Sequence, residues 1–306
     1  MELRELTVEE LYREFPESVT PYGSNAFSML NAGKADRIAA FSLFDVKGKA
    51  RLGILLGMRE GVWRLPFSAP FGEILYRRPQ TLDTCIGLAS SLAARLDSPL
   101  SLTLAADFYD PVMLPRLKGA FATVARSVYS DYNYSYPLTR YGDFSAGLGG
   151  NARNHYNRAL RAGFTYTPGA DPQRVYEVIR RNRAWRGYPL AMSYADLSAT
   201  AEIVPVDWHL LTLGDADVAS AVVYRLNEQV AQVIYWGDVD GYGAVRPMNL
   251  LAGKVADYYR RAGFTTLDIG PSSSRGVPDC GLCTFKESLG CDLSFKPTYI
   301  VDTRNE

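Results

Sequence analysis

The feature that most constrains this chain is that it contains one pattern twice. Arg78-Pro79-Gln80-Thr81-Leu82 and Arg246-Pro247-Met248-Asn249-Leu250 share the form Arg-Pro-x-x-Leu and lie 168 positions apart. Each follows two apolar or alternating runs that read as strands joined by a turn. In the first copy these are Arg51 to Met58 and Val62 to Phe67 around Arg59-Glu60-Gly61; in the second, Val218 to Leu226 and Val230 to Trp236 around Asn227-Glu228-Gln229. Downstream, Met248, Leu251, Val255, Tyr258 and Ala262 recur at spacings of three and four, one face of a helix. Pro247 opens it where a proline costs no hydrogen bond, and Gly263 closes it. Leu82, Cys85, Ala89, Leu92 and Leu96 keep the same rhythm. Each helix leads to a short apolar strand, Leu100 to Ala105 or Thr265 to Ile269. Helical patterns also precede each β region: Glu9 to Phe15 with Ser24 to Leu30, and Pro172 to Arg183 with Tyr194 to Ala201. An element order that occurs twice reads as duplication, which predicts two domains, residues 1–140 and 141–306.

Charge and composition narrow the partners. The 306 residues carry 33 basic and 33 acidic side chains, so no global field draws the chain to nucleic acid or an anionic membrane. The opening MELRELTVEELYREFP is charged and helical in pattern, without the basic start and apolar run of a secretory signal. No apolar stretch approaches the roughly eighteen residues that span a bilayer. A soluble, cytoplasmic protein is the expectation. Of four cysteines, Cys280, Cys283 and Cys291 cluster, but a structural zinc site needs four ligands, and His155 and His209 lie far off in sequence. No metal is expected.

The stretch WGDVDGYGAVRPMNLL, Trp236 to Leu251, places a strand end, a glycine-bearing loop and a helix start together. Free N–H groups and the positive helix end favour a phosphate at such a point. Gly241 and Gly243 permit close backbone approach, and Arg246 suits a phosphate oxygen. A plain strand-to-helix connection explains the same residues. The loop lacks the lysine of a P-loop and the third glycine of a dinucleotide loop.

These elements in this order resemble the GNAT acyltransferase superfamily, whose phosphate loop usually reads Gln/Arg-x-x-Gly-x-Gly/Ala. Asp238-Val-Asp-Gly241-Tyr-Gly243 keeps both glycines and departs at Asp238, a carboxylate that repels a pyrophosphate unless Arg246 offsets it. Ser68-Ala-Pro-Phe71-Gly72 is similar to the Ser-Pro-Phe-Gly segment of the FemAB-like group, in which two GNAT domains lie in tandem. Gly281-Leu-Cys-Thr-Phe285-Lys286-Glu-Ser-Leu289-Gly290 is similar to that group's Gly-Leu-x-x-Phe-Lys-x-x-Phe-Gly, with leucine for the second aromatic. The resemblance implies a mixed α/β (α+β) fold of two tandem GNAT-like domains, each a mixed central sheet flanked by helices.

It further implies an N-acyltransferase that uses acetyl-CoA or another acyl-CoA as co-substrate, with direct attack by an amine of a small molecule or peptide. Tyr235 and Trp236 would line the strand edge that receives the pantetheine arm. Gly241, Gly243, Arg246 and the first helical turn with Asn249 would lie near the phosphates. Asp268 or Asp238 would take the proton, and Ser272, Ser273 and Lys286 would hold the acceptor between the halves. Read as residues alone, Asp268 equally suits a bond to the turn after Pro271, and Lys286 a solvated helix face. Arg153, His155, Arg158 and Arg161, on a basic helix from about Asn151 to Ala162, suit either an anionic acceptor or solvent. The first copy's loop, Pro70-Phe-Gly72-Glu-Ile-Leu-Tyr-Arg-Arg78, has one glycine, so only the second copy is expected to hold a cofactor. Two other readings share the fold: a non-catalytic ligand- or partner-binding protein, and a Fem-type aminoacyl-tRNA-dependent transferase. Neutral net charge and the absence of a long helical arm weigh against tRNA.

Overall fold

Pairing, rather than local propensity, decides the first element. Glu2–Leu6, expected to be helical, is a strand (β1) antiparallel to β2 (Arg37–Phe44), with Glu2 opposite Phe44 and Leu6 opposite Ala40. The helix begins only after Thr7, whose hydroxyl accepts from Glu10 N at 3.1 Å while the Glu10 carboxylate accepts from Thr7 N at 2.8 Å. This reciprocal cap satisfies donors that the first turn would leave orphaned.

The computed structural model describes residues 1–302. After β1 come α1 (Val8–Glu14), α2 (Asn25–Asn31), β2, β3 (Ala50–Arg59), β4 (Val62–Leu65), α3 (Leu82–Arg95), β5 (Leu100–Thr103), α4 (Met113–Ala122) and β6 (Ser127–Pro137). The chain continues through α5 (Gly150–Arg161), β7 (Thr165–Pro168), α6 (Pro172–Arg186), α7 (Tyr194–Ala201), β8 (Val206–Leu213), β9 (Ala216–Arg225), β10 (Val230–Asp238), α8 (Pro247–Arg261) and β11 (Thr266–Pro271). The two-residue strands β12 (Ser273–Ser274) and β13 (Val277–Pro278), α9 (Cys280–Ser288) and β14 (Asp292–Val301) complete it.

Two compact units emerge. One comprises Met1–Tyr132, Ser273–Val277 and the chain from Ser294 on; the other comprises Asn133–Ser272 and Pro278–Leu293. In the first, β1 to β4 pair antiparallel in sequence order, β4 pairs β5 in parallel, and β14 closes on β5. Thr298–Val301 therefore pairs with Leu100–Thr103, a non-local contact that a linear division near residue 140 does not contain. In the second, β7 to β10 pair antiparallel in sequence order, β10 pairs β11 in parallel, and β11 pairs with the end of β6. Each parallel pair needs a crossover long enough for a helix, supplied by α3 and α8. Element order and strand sense thus agree between the units, as the repeated pattern anticipates. The pentapeptide Arg-Ala-Gly-Phe-Thr that follows both α5 and α8 serves one purpose twice. Gly163 (φ +83°) and Gly263 (φ +89°) take the left-handed conformation that ends a helix and turns the chain into the next strand.

The units differ beside the parallel pair. In the first, β4 ends at Leu65, before a proline that cannot donate to a ladder, and the chain's own Ser68–Leu75 segment runs on beside the strands. Gly72 N donates to Thr103 O at 2.8 Å, and Leu75 and Gly53 exchange two bonds of 2.8 Å. A Cβ on Gly72 would come within 2.2 Å of Leu65 Cγ, so only glycine lets the segment lie this close. Phe71 packs against Tyr22 and Tyr109 at centroid distances of 5.2 and 4.6 Å. Glu73 ties the segment down, accepting from Thr20 N (3.0 Å), Thr20 Oγ1 (2.9 Å) and Val19 N. Burial pushes its carboxyl up to about 7.

In the second unit, α5 lies along α8. Ala152, Tyr156 and Ala159 are its buried face, and Tyr156 with Phe144 meets α8 at Gly253, where a Cβ would stand 2.6 and 2.7 Å from their rings. Gly253→Ala would gain about 1 kcal/mol of helix propensity but lose about 1–3 kcal/mol to overpacking. Net destabilisation is expected, visible as a lower denaturant midpoint at unchanged m-value. A variant more stable than wild type would mean that α5 is not seated on this glycine.

Candidate functional site

The site starts from a ladder that comes apart. β10 and β11 pair in parallel only from Val230–Gln232 against Thr266–Asp268, while β10 runs on to Asp238. Both strands become irregular just beyond this point. The β9–β10 register shifts between Val233 and Tyr235, and the β11–β6 register shifts between Asp268 and Pro271. A bulge adds twist and bends its strand, so one in each partner separates them. Among the described residues no strand pairs with the β11-facing edge of β10 beyond Gln232.

Two buried groups hold the parting strands. Asp268, wholly buried, accepts from Asn133 Nδ2 (2.9 Å) and Gly270 N (2.9 Å) at one oxygen and from Gln232 Nε2 (2.8 Å) at the other. It ties β6, β10 and β11 together where the ladder stops and bonds the turn beyond it. Lys286 is the residue that α9 buries, at 1 % exposure. Its Nζ donates to the carbonyls of Ile269 (2.9 Å), Gly270 (2.8 Å) and Pro271 (3.0 Å), and lies 5.6 Å from the Tyr134 ring centroid. Three donors meet three carbonyls that the bulged end of β11 turns away from a ladder. Ser273 Oγ donates to Asp131 at 2.7 Å and accepts from Tyr132 N at 2.8 Å. Ser272 is buried, its hydroxyl has no hydrogen-bond partner, and its carbonyl accepts from Asp279 N at 2.8 Å.

At the far end of β10, Tyr235 is buried, and its hydroxyl accepts from Met192 N at 3.3 Å. Trp236 and Ile234 are half-buried. Asp238, 8 % exposed, lies 3.7 Å from Arg186 Nη2, and its backbone carbonyl accepts from Asn182 Nδ2 at 2.7 Å. Gly237 is required here, since a Cβ would stand 2.4 Å from Asn182 Cγ. Burial raises the Asp238 carboxyl pKa, with Arg186 opposing. Asn182 has no motif around it and was invisible in the sequence.

The loop after β10 is built for close approach. Gly241 (φ +91°) takes a left-handed turn, and a Cβ on Gly243 would meet nothing within 4 Å. Arg246 is the N-cap of α8 in the left-handed conformation (φ 57°, ψ 49°), and no side chain caps the helix. Asn249, in the first turn, is buried, its N–H donating to Arg246 O at 3.2 Å. The docking of α5 brings His155 and Arg158 to this loop. Arg158 Nη1 lies 3.5 Å from Ala244 O, and the His155 pKa is lowered by burial, then by the charges of Arg246 and Arg158. Among the described residues none of Arg246, Arg158 and His155 pairs with a carboxylate. Arg153 turns back instead, donating to Leu148 O at 3.3 Å.

Cys280 is exposed, Cys283 and Cys291 are less so, and among the described residues no three metal-ligating side chains are grouped to hold an ion. Among the same residues no helix is long and apolar enough to cross a membrane.

The sequence matches no protein-family model and no curated protein. Solved structures do match over the whole length. FemX aligns with a TM-score of 0.64 at 12 % identity, covering 99 % of this chain and 98 % of its own. L-PGS from Bacillus licheniformis aligns at 0.57 and 13 %, covering 99 % and 94 %. A tandem GNAT protein from the clavulanic acid biosynthesis pathway aligns at 0.56 and 12 %, covering 97 % of each. The fold is therefore the mixed α/β fold of the tandem-GNAT, FemAB-like proteins.

Two outcomes test the site as described. Lys286→Met removes the ammonium from two buried carbonyls, Ile269 and Gly270, and from the more exposed Pro271 carbonyl, at about 1–3 kcal/mol for each buried group left unmade. After relaxation we expect a loss of about 2–4 kcal/mol, hence a melting temperature lower by roughly 5–10 °C. A variant that melts like wild type would place this lysine among surface groups. Arg246→Ala removes a charge beside His155, so the imidazole pKa should rise toward its ordinary value in an NMR titration. An unchanged titration would separate the two residues.

Proposed function

We propose that the second unit is the catalytic half of an acyl-CoA-dependent N-acyltransferase. The observation that carries this reading is the parted β10–β11 pair, open on one edge and ending at an uncapped, glycine-bearing helix start ringed by Arg246, His155 and Arg158. An amide-bearing chain such as pantetheine adds to the free edge of β10 as a short strand would, through backbone hydrogen bonds near Val233 to Trp236. The nucleotide phosphates then fall at the start of α8, near backbone N–H groups, Arg246, Arg158 and an imidazole that a phosphate would help protonate. Arg186, 3.7 Å from Asp238, offsets its carboxylate.

The chemistry asked of the residues is modest. An amine attacks the thioester carbonyl and forms the C–N bond, the C–S bond breaks, and the CoA thiolate takes up one proton, by way of the base or from solvent, so that the products are an amide and the CoA thiol. The proton lost by the amine goes to Asp238, whose raised pKa makes it a better base than an exposed carboxylate. Asp268 and Lys286, with hydrogen bonds already committed, keep β11 in place. Tyr235 fixes β10 through Met192, and Trp236 and Asn249 shape the groove. Ser272, buried with an unbonded hydroxyl, is the residue of the Ser272–Ser273 pair that suits an acceptor contact. The first unit, its strands accompanied by Ser68–Leu75, holds no cofactor in this reading. One structural neighbour is described as a tandem GNAT protein without AcCoA, which makes acetyl-CoA the first ligand to try. The basic face of α5 supports a second reading, in which the acyl donor is an aminoacyl-tRNA.

Acetyl-CoA at about a hundred times its dissociation constant should add roughly 2.7 kcal/mol of stability and raise the melting temperature by a few degrees. The shift should vanish in Arg246→Ala. Because a phosphate favours protonated His155, it should also grow as pH falls through the histidine range. No shift with acetyl-CoA or longer acyl-CoAs, beside a shift with aminoacyl-tRNA, would move the second reading ahead.

A further inference from the structure

The last turn of α6 carries an arginine whose surroundings explain nothing about its charge. Arg183 is half-buried, and burial lowers its pKa, with Tyr235 and Tyr188 opposing. Its Nε is buried without a hydrogen-bond partner, and among the described residues no carboxylate lies within 4 Å of the guanidinium. The guanidinium carbon stands 5.4 Å from the Tyr235 ring centroid and 5.8 Å from that of Tyr188. Ring faces recover part of the desolvation cost of a cation, not the hydrogen bonds it has lost. Arg186, one turn on, is by contrast drawn to Asp238.

We propose that Arg183 receives a carboxylate carried by the acceptor amine, so that the acceptor is an amino acid, a peptide or another amine with a carboxyl group. The guanidinium carbon lies over two tyrosine rings, and its two Nη groups remain as a fork for a ligand. Such a fork matches a planar carboxylate through two parallel N–H···O bonds. Tyr188 is 48 % exposed, whereas Tyr235 is buried and bonded to Met192. Arg183 and Arg186 lie three residues apart, on neighbouring turns of one helix, and Arg186 contacts the carboxylate of Asp238. A carboxylate on Arg183 therefore brings the amine of a short acceptor toward the group that takes its proton. The acceptor role rests on the acyltransferase reading; the carboxylate site does not.

The test separates the two. Glycine, alanine, glutamate and glycylglycine, each beside its C-terminal amide, and inorganic phosphate are titrated calorimetrically into wild type without acyl-CoA. At least one free acid should bind about tenfold or more tighter than its amide. Arg183→Met should abolish the preference, and Arg183→Lys, which keeps charge without the fork, should restore only part of it. Because the charge has no protein partner, Arg183→Met should melt no lower than wild type, and it should bind acetyl-CoA as wild type does. The proposal is overturned if no acid binds, if acids and amides bind alike, if phosphate alone binds, or if Arg183→Met melts several degrees lower, which marks a structural cation. Acids bound through Arg183 by a protein that ignores every acyl-CoA would support the carboxylate site and sink the acyltransferase reading.

Discussion

A lysine ammonium beneath three carbonyl groups is the interaction on which the second unit depends. A charge withdrawn from water costs several kcal/mol unless hydrogen bonds and opposing dipoles replace its hydration. Lys286 meets that condition because β11 bulges, turning the carbonyls of Ile269, Gly270 and Pro271 toward one point. The relation is mutual: without the ammonium, the buried carbonyls of Ile269 and Gly270 would lose its donors. With it, β11 can leave β10 and still be a rigid wall, and Asp268 fixes where the departure starts.

The contrast between the units follows from the same geometry. Both carry a parallel pair fed by a crossover helix, and in each the strands beyond the pair must satisfy their edges somehow. The first does so with its own chain, using a glycine against Leu65 and a phenylalanine between two tyrosines. The second leaves the edge of β10 open. Duplication accounts for two similar frames that differ in what runs beside the parallel pair.

Much of the frame was legible because it is written in local patterns. Tyr194 to Ala201 is a helix with the bounds its spacing predicts, and Pro247 and Gly263 delimit α8 as their backbone preferences require. What escaped was decided by distant partners. Glu2–Leu6 has a helical pattern of charges but gains more from pairing with β2. Lys286 reads as a surface lysine because no local signal tells where a strand seventeen residues earlier will bulge. His155 and Arg158 were visible as charges, yet their place beside the glycine loop depends on Tyr156 meeting Gly253, a contact across about a hundred residues. Arg183 gave no signal, since an unpaired guanidinium is recognised by what it lacks.

The pairing of β14 with β5 sets an order of assembly. Residues 294 to 301 belong to the first unit, so the part of the molecule made first on the ribosome has an unpaired strand until the last part emerges. Closing so long a loop is entropically slow, and β5 meanwhile presents a bare edge to other chains. The second unit, with most of its strands contiguous in sequence, is free to form inside that interval. The unit whose strands come earlier in the sequence is therefore the one completed later, and loss of residues 294–301 would strike it before the other.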